Sequence, residues 1–384
     1  MLATQSLAQD LTITSFNGNG KLTWAYPTNG VANYRVEWAS TLDGPWTNFK
    51  GGAVALDCII PVSNTMTAAV PMFYRVIAVT NAYYVVFDLS GGTNATKYPA
   101  SYYGDLANVP EGANSDTYKT TKLLMRLIPS GVFMMGSPLG EFGRYTNETQ
   151  HQVTITQPFY IGVFEVTQKQ WQLVMGTQPS YFQNLFHQSD WTDPRPVEQV
   201  SYSMIRGSSA GAGWPDNNDV DVDSFMGKLR ARTGRDFDLP SEAQWEYAGR
   251  AGMATALNSG YNITNVNSDA HMSKVGRYFY NGGSGYSQGG DTSVGSAKVG
   301  SYPANAWGLY DFHGNVFEWC LDWNETYPGT VSDPRGGIDG ADRVSRGGCW
   351  VFGARLCRAG FRYGYPPGYA HYDIGFRVAL PPGQ

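Results

Sequence analysis

Arg343-Val-Ser-Arg-Gly-Gly-Cys-Trp350 and Ile374-Gly-Phe-Arg-Val-Ala-Leu380 bracket the stretch on whose reading the fold of this chain is decided. Between them Phe361, Tyr363, Tyr365, Tyr369 and Tyr372 alternate with Gly, Pro and Arg in neither a helical nor a strand period. Aromatic residues without a period suit a loop surface made for contact.

Working outward, 384 residues exceed one typical domain, and 42% apolar with 15% charged residues describes a well-buried globular chain, so two folded domains are expected. The formal net charge is -5, and no Lys/Arg cluster occurs, which speaks against nucleic acid as a partner. No run of 18 apolar residues is found, so no transmembrane segment is expected. Residues 1–10 read as a signal-peptide remnant with a small-residue site at Ser6-Leu7-Ala8, and export to the cell surface or beyond is expected. Cys58 is isolated in an apolar stretch and reads as a core residue. Cys320, Cys349 and Cys357 leave an odd count, with at most one disulfide among them.

Residues 11–87 are all-β in pattern: Lys21-Leu-Thr-Trp24, Tyr34-Arg-Val-Glu-Trp38 and Phe73-Tyr-Arg-Val-Ile-Ala-Val79 are short β-branched or aromatic runs separated by Gly/Asn/Pro turns. The segment resembles a fibronectin type III or immunoglobulin-like sandwich with Trp24 and Trp38 in its core. Residues 88–119 carry no sustained period and read as a linker, and a second domain is expected over 120–384. Within it, 165–175 predicts a helix with Thr167 as N-cap and Gly176 as its stop. Ser241-Glu-Ala-Gln244 has the form of a capping box opening a helix over 241–248, and a further helix is expected over 222–233. Glu242 and Glu246 share one face of the second helix. They read as framework salt bridges in preference to a catalytic carboxylate pair.

Seven motifs then stand in order: Pro129-Ser-Gly-Val-Phe-Met-Met-Gly136, Glu165-Val-Thr167, Pro196-Val-Glu-Gln-Val-Ser201, Leu239-Pro-Ser-Glu-Ala-Gln-Trp-Glu-Tyr-Ala248, Gly308-Leu-Tyr-Asp-Phe-His-Gly-Asn-Val-Phe-Glu-Trp319, Arg343-Val-Ser-Arg-Gly-Gly348 and Gly375-Phe-Arg377. Together they resemble the formylglycine-generating-enzyme (sulfatase-modifying factor) domain over roughly 120 to 380. The resemblance implies an α+β chain in which a C-type lectin fold of that type follows the small all-β sandwich. It does not by itself imply an activity, because the family holds both enzymes and binding proteins.

The family's enzymes oxidise a sulfatase cysteine using two cysteines that bind copper(I), a soft ion suited to thiolates. The positions that match hold Phe352 and Cys357, and a phenyl ring cannot bind a metal. No copper and no catalytic residue are therefore expected, with a copper-dependent oxidase relying on Cys349 and Cys357 as the alternative. His151, His187, His271, His313 and His371 form no spaced iron-ligand set. The variable proteins of diversity-generating retroelements resemble this domain most, ending in the same Arg-Gly-Gly, variable stretch and Gly-Phe-Arg. Their adenine-directed mutagenesis yields codons that cannot encode Lys, Glu, Gln, Met or Trp, and residues 351–373 contain none of these. Roughly three would be expected from composition alone.

The resemblance implies ligand recognition, of a protein or surface glycan, by a diversified carboxy-terminal face. The residues expected on it are Val351, Phe352, Gly353, Leu356, Phe361, Tyr363, Tyr365, Tyr369, His371, Tyr372 and Asp373. Trp350, Arg358, Arg362 and Arg377 are expected to anchor the scaffold. A purely structural surface protein is a further alternative. Structural Ca²⁺ is the one cofactor the family implies. Carried over by position, its ligands would be the side chains of Asp311 and Glu318 and the carbonyls of Gly314 and Val316, with Asp291 in a second site.

Overall fold

The computed structural model describes the strands between residues 12 and 79 by their backbone, and residues 82–182, 194–283 and 295–381 in full. Residues 1–10, Cys58, His187, Asp291 and the side chains of Trp24 and Trp38 lie outside the described set. The chain divides into two compact units, one essentially residues 1–83 and the other residues 84–101 with 109–382. In the first, Lys21–Ala25 pairs antiparallel with Thr12–Asn17 and Thr65–Ala69, and Asn33–Ala39 pairs antiparallel with Thr47–Asn48 and Phe73–Val79.

The second unit is a mixed α+β domain. Ala379–Leu380, Phe159–Gly162, Lys122–Ile128 and Tyr84–Asp88 lie side by side in one sheet. The strand Tyr84–Asp88 has the burial of a central strand, with Val85, Val86 and Phe87 inside. The expected boundary at residue 87 therefore cuts a strand, and residues 88–119 are not a free linker. Tyr98 explains how an aperiodic segment can be folded: its amide donates to Arg232 O and its hydroxyl to Gly92 O and Leu173 O. One buried aromatic ring ties the loop down without leaving a period in the sequence.

The three expected helices form where their caps put them. Gln168–Met175 starts at Thr167 in a full capping box with Gln170, and it ends at Gly176 in the left-handed region. Glu242–Arg250 starts at Ser241, boxed with Gln244. Phe225–Thr233 is shorter than expected at its start, because Ser224 rather than a residue near 222 accepts the first free amide. Trp171 stacks on Phe225 at 5.2 Å, joining two of the helices over the core.

A four-stranded sheet carries the carboxy-terminal motifs, in the order Arg362–Tyr365, Arg343–Arg346, Phe317–Trp323, Ile374–Gly375. Arg346 stands opposite both Glu318 and Arg362, and Ser345 stands opposite both Trp319 and Tyr363. With a two-residue side-chain period, this register sends Glu318, Arg346 and Arg362 to one face and Phe317, Trp319, Tyr363 and Tyr365 to the other.

Candidate functional site

Buried arginines build the arginine side of this sheet. Arg358 places Nη1 and Nη2 2.8 and 2.7 Å from the two oxygens of Glu148 and also reaches Glu141 at 2.6 Å. Arg362 grips Glu242 with two bonds of 2.8 Å. Arg377 pairs with Glu318, and Arg346 pairs with Glu246, which also holds Arg250 at 2.7 Å. Arg346 further donates to the carbonyls of Ala359, Gly360 and Phe361, so its guanidinium fixes the loop by backbone atoms. Arg358, Arg362 and Arg377 are thus scaffold anchors, and Glu242 and Glu246 are framework ion pairs, as the sequence led one to expect. Gly347 and Gly348 turn the chain into the loop with φ of 92° and 72°. A Cβ on Gly348 would lie 2.3 Å from Leu356 O and 2.7 Å from Cys357 Sγ, so only glycine fits.

On the opposite face the aromatic rings join into a band. Tyr363 meets Tyr365 at 4.9 Å, Tyr365 lies parallel to Tyr369 at 4.1 Å, Tyr369 meets His371 at 5.7 Å, and His371 meets Tyr372 at 3.8 Å. Phe317 underlies Phe352, Tyr363 and Tyr365. Tyr363 is exposed, whereas Val351, Phe352, Gly353, Leu356, Tyr365, Tyr369, His371 and Tyr372 are partly covered. Two residues expected on the contact face are instead buried: Phe361 packs against Phe317 and Tyr145, and Asp373 lies beneath the band. Asp373 Oδ1 is 2.8 Å from His371 Nδ1, and its Oδ2 accepts from the Cys349 thiol at 3.7 Å. Burial, and then the charge of Asp373, raise the Tyr365 and Tyr369 hydroxyls above the usual range. Sequence reasoning missed Tyr181 and Phe182, which extend the band to Tyr372 and Trp350. Their only signal was an adjacent aromatic pair directly after Pro179-Ser180.

Cys320, Cys349 and Cys357 are all free and buried, so the disulfide allowed among them does not form. Burial holds the Cys349 thiol well above its usual range and pushes Cys357 up to about 12. Cys357 Sγ donates to Cys349 O at 3.9 Å and Gly353 O at 3.8 Å. The Cys349 thiol thus donates to a carboxylate and the Cys357 thiol to carbonyls, whereas a soft metal ion binds thiolates. Phe352, at the first catalytic position, packs edge-on to Phe317 at 5.9 Å.

The carboxylates expected to hold calcium are committed elsewhere. Both oxygens of Glu318 take Arg377, and Oε2 also takes the Trp245 indole at 2.7 Å. Asp311 accepts the Gly300 amide at 2.7 Å, and burial pushes its carboxyl up to about 6. The Gly314 and Val316 amides are bonded to Gly347 O and Glu165. A guanidinium already neutralises Glu318, and among the described residues no group of three His, Cys, Asp or Glu is placed to hold a metal ion. With its charge taken by Arg377, Glu318 is a poor ligand for calcium. Among the described residues, no helix is long and apolar enough to cross a membrane.

Comparison with known proteins finds a match of residues 111–381 to the sulfatase-modifying factor enzyme 1-like domain. The formylglycine-generating enzyme of Mus musculus is 26% identical over 318 residues, covering 75% of this chain and 83% of that protein. Chaperone protein LppX of Paenibacillus barcinonensis is 31% identical over 244 residues, covering 57% and 79%. Among solved structures, Treponema denticola variable protein 1 is 26% identical with a TM-score of 0.52, covering 68% of this chain and 96% of that one. PvdO from Pseudomonas aeruginosa is 26% identical with a TM-score of 0.53, covering 67% and 94%.

Proposed function

From the premise that the chain belongs to the sulfatase-modifying factor enzyme 1-like family, we propose that it is a non-catalytic recognition protein that binds a protein or surface glycan through its carboxy-terminal aromatic face. The observation that carries this reading is the band of rings from Tyr363 to Tyr372, which follows a turn at 359–361 whose carbonyls are held by buried Arg346. Rigid tyrosines give large amphipathic contact area at low entropic cost. The likeness to Treponema denticola variable protein 1, and the absence of Lys, Glu, Gln, Met and Trp from residues 351–373, support a face diversified by a retroelement. In this reading the protein is exported, and the amino-terminal strands form a β-sandwich that carries the binding domain.

A copper-dependent oxidase is the second reading, favoured by the closeness of Cys357 Sγ to Cys349 O and by the identity to a formylglycine-generating enzyme. One experiment separates the two. The full chain and a Cys349→Ser, Cys357→Ser variant are tested for copper(I) binding and for oxidation of a sulfatase-type cysteine peptide. Recognition predicts neither copper binding nor turnover; cysteine-dependent binding with turnover would make the protein an enzyme. In parallel, Tyr363→Ala with Tyr369→Ala should abolish binding on protein and glycan arrays; unchanged binding would overturn the tyrosine face as the site, and no binding by the wild type would leave a structural protein.

A further inference from the structure

The domain repeats one local device: a carboxylate, an aromatic ring and an arginine that serves both. Arg377 pairs with Glu318 and lies 3.8 Å over the Phe312 ring. Arg362 pairs with Glu242 and lies 4.2 Å over Tyr327. Arg346 pairs with Glu246 over Trp245 at 5.3 Å, and Arg206 pairs with Asp238 over Tyr202 at 5.8 Å. The chemistry is general, because a planar guanidinium can offer its edge to a carboxylate and its face to a π-system at once.

The tyrosine face has two of these three parts. Asp373 is buried beneath Tyr365, Tyr369 and Tyr372, and its two oxygens meet the His371 imidazole and the Cys349 thiol rather than a guanidinium. Among the described residues no arginine or lysine pairs with it. The one arginine between residues 359 and 376, Arg362, is buried on Glu242. The stretches 183–193 and 284–294 contain neither lysine nor arginine. The carboxylate is felt at the rings, where it opposes ionisation of the Tyr365 and Tyr369 hydroxyls.

We propose that the missing guanidinium comes from the ligand: the aromatic face receives an arginine side chain of a protein partner, stacked on the Tyr363–Tyr372 rings in the field of Asp373. This rests on the recognition reading and commits it to a protein partner bearing an exposed arginine. The glycan alternative becomes an outcome of the test. Tyr363, 48% exposed, and the partly covered Tyr369 offer the ring surface, and Asp373 supplies the opposite charge.

The test titrates the full chain with N-acetyl-arginine amide, its uncharged isostere N-acetyl-citrulline amide, and methyl α-mannoside, reading saturation transfer from the tyrosine ring protons. The expected result is saturable binding of the arginine probe, about tenfold or more weaker for citrulline and falling with added salt. It should be lost in Asp373→Asn and, independently, in Tyr369→Leu, which keeps the test open if the buried substitution unfolds the domain. Equal binding of arginine and citrulline, or retention in a folded Asp373→Asn variant, would overturn the proposal. Binding of the mannoside alone would overturn it and leave recognition standing. No response to any probe would also overturn it, while the array experiment decides recognition separately.

Discussion

Arg358 carries two buried carboxylates, Glu141 and Glu148, and neither has another guanidinium within reach of the bonds described. Arg358→Met should therefore destabilise the domain by about 3–5 kcal/mol, because it leaves buried charge without its partner. Urea unfolding measures this, and a loss under about 1 kcal/mol would contradict the framework role. Glu198 behaves differently. Its carboxylate accepts the amides of Tyr181 and Phe182 at 2.9 and 3.0 Å, and burial pushes its pKa up to about 7 from 4.5. A raised carboxyl pKa means that the folded state holds the proton more tightly than the unfolded chain does. The stability from this group is fully present below about 4.5 and is lost as pH rises through about 7. Wild type should accordingly lose stability relative to Glu198→Gln between pH 5 and pH 8, and a gap that does not vary with pH would refute this. At this scale the sequence was partly legible. Arginines in a Gly-rich loop announce themselves as anchors, but nothing in sequence shows that Phe361 turns inward while Tyr363, two residues on, turns out.

Elements were legible wherever a cap was written into the chain. Thr167 and Ser241 each fix a helix start through side-chain bonds to the first turn, and those bonds need no tertiary context. Ser241→Ala should cost about 1 kcal/mol, read as a shift of the urea midpoint with an unchanged slope. Strand Tyr84–Asp88 was hidden for the opposite reason. Its buried run is short, its neighbours pair with it from residues 122–128, and the loop after it is held by distant groups, Tyr98 on Leu173 O and Arg232 on Thr93 O and Ala95 O. Partners that distant leave no local period. Replacing Tyr98 with Phe removes both hydroxyl bonds from a side chain buried to 3% and should destabilise by about 1–3 kcal/mol. Hydrogen exchange at residues 84–88 should then quicken, and exchange as slow as in wild type would show that the loop is held by something else.

For the whole molecule, the ordered motifs announced the domain because those at 239–248, 308–319, 343–348 and 375–377 supply Glu242, Glu246, Glu318, Arg346 and Arg377 to an ion-pair framework spread over many elements. The aromatic band was less legible, since its rings meet through the fold rather than through sequence neighbourhood: Tyr181 reaches Tyr372 across the chain. Tyr363→Ser should change stability by no more than about 0.5 kcal/mol, as for other solvent-facing positions. A drop of several degrees in Tm would show that the band is core. Arg346 grips the loop through the carbonyls of residues 359, 360 and 361, atoms every amino acid possesses. Shape at this turn is thereby insulated from side-chain identity, and the strand that begins at Arg362 starts from a point that substitutions do not move. An engineer changing the exposed Tyr363 would be altering the surface of a fold that does not have to be rediscovered each time.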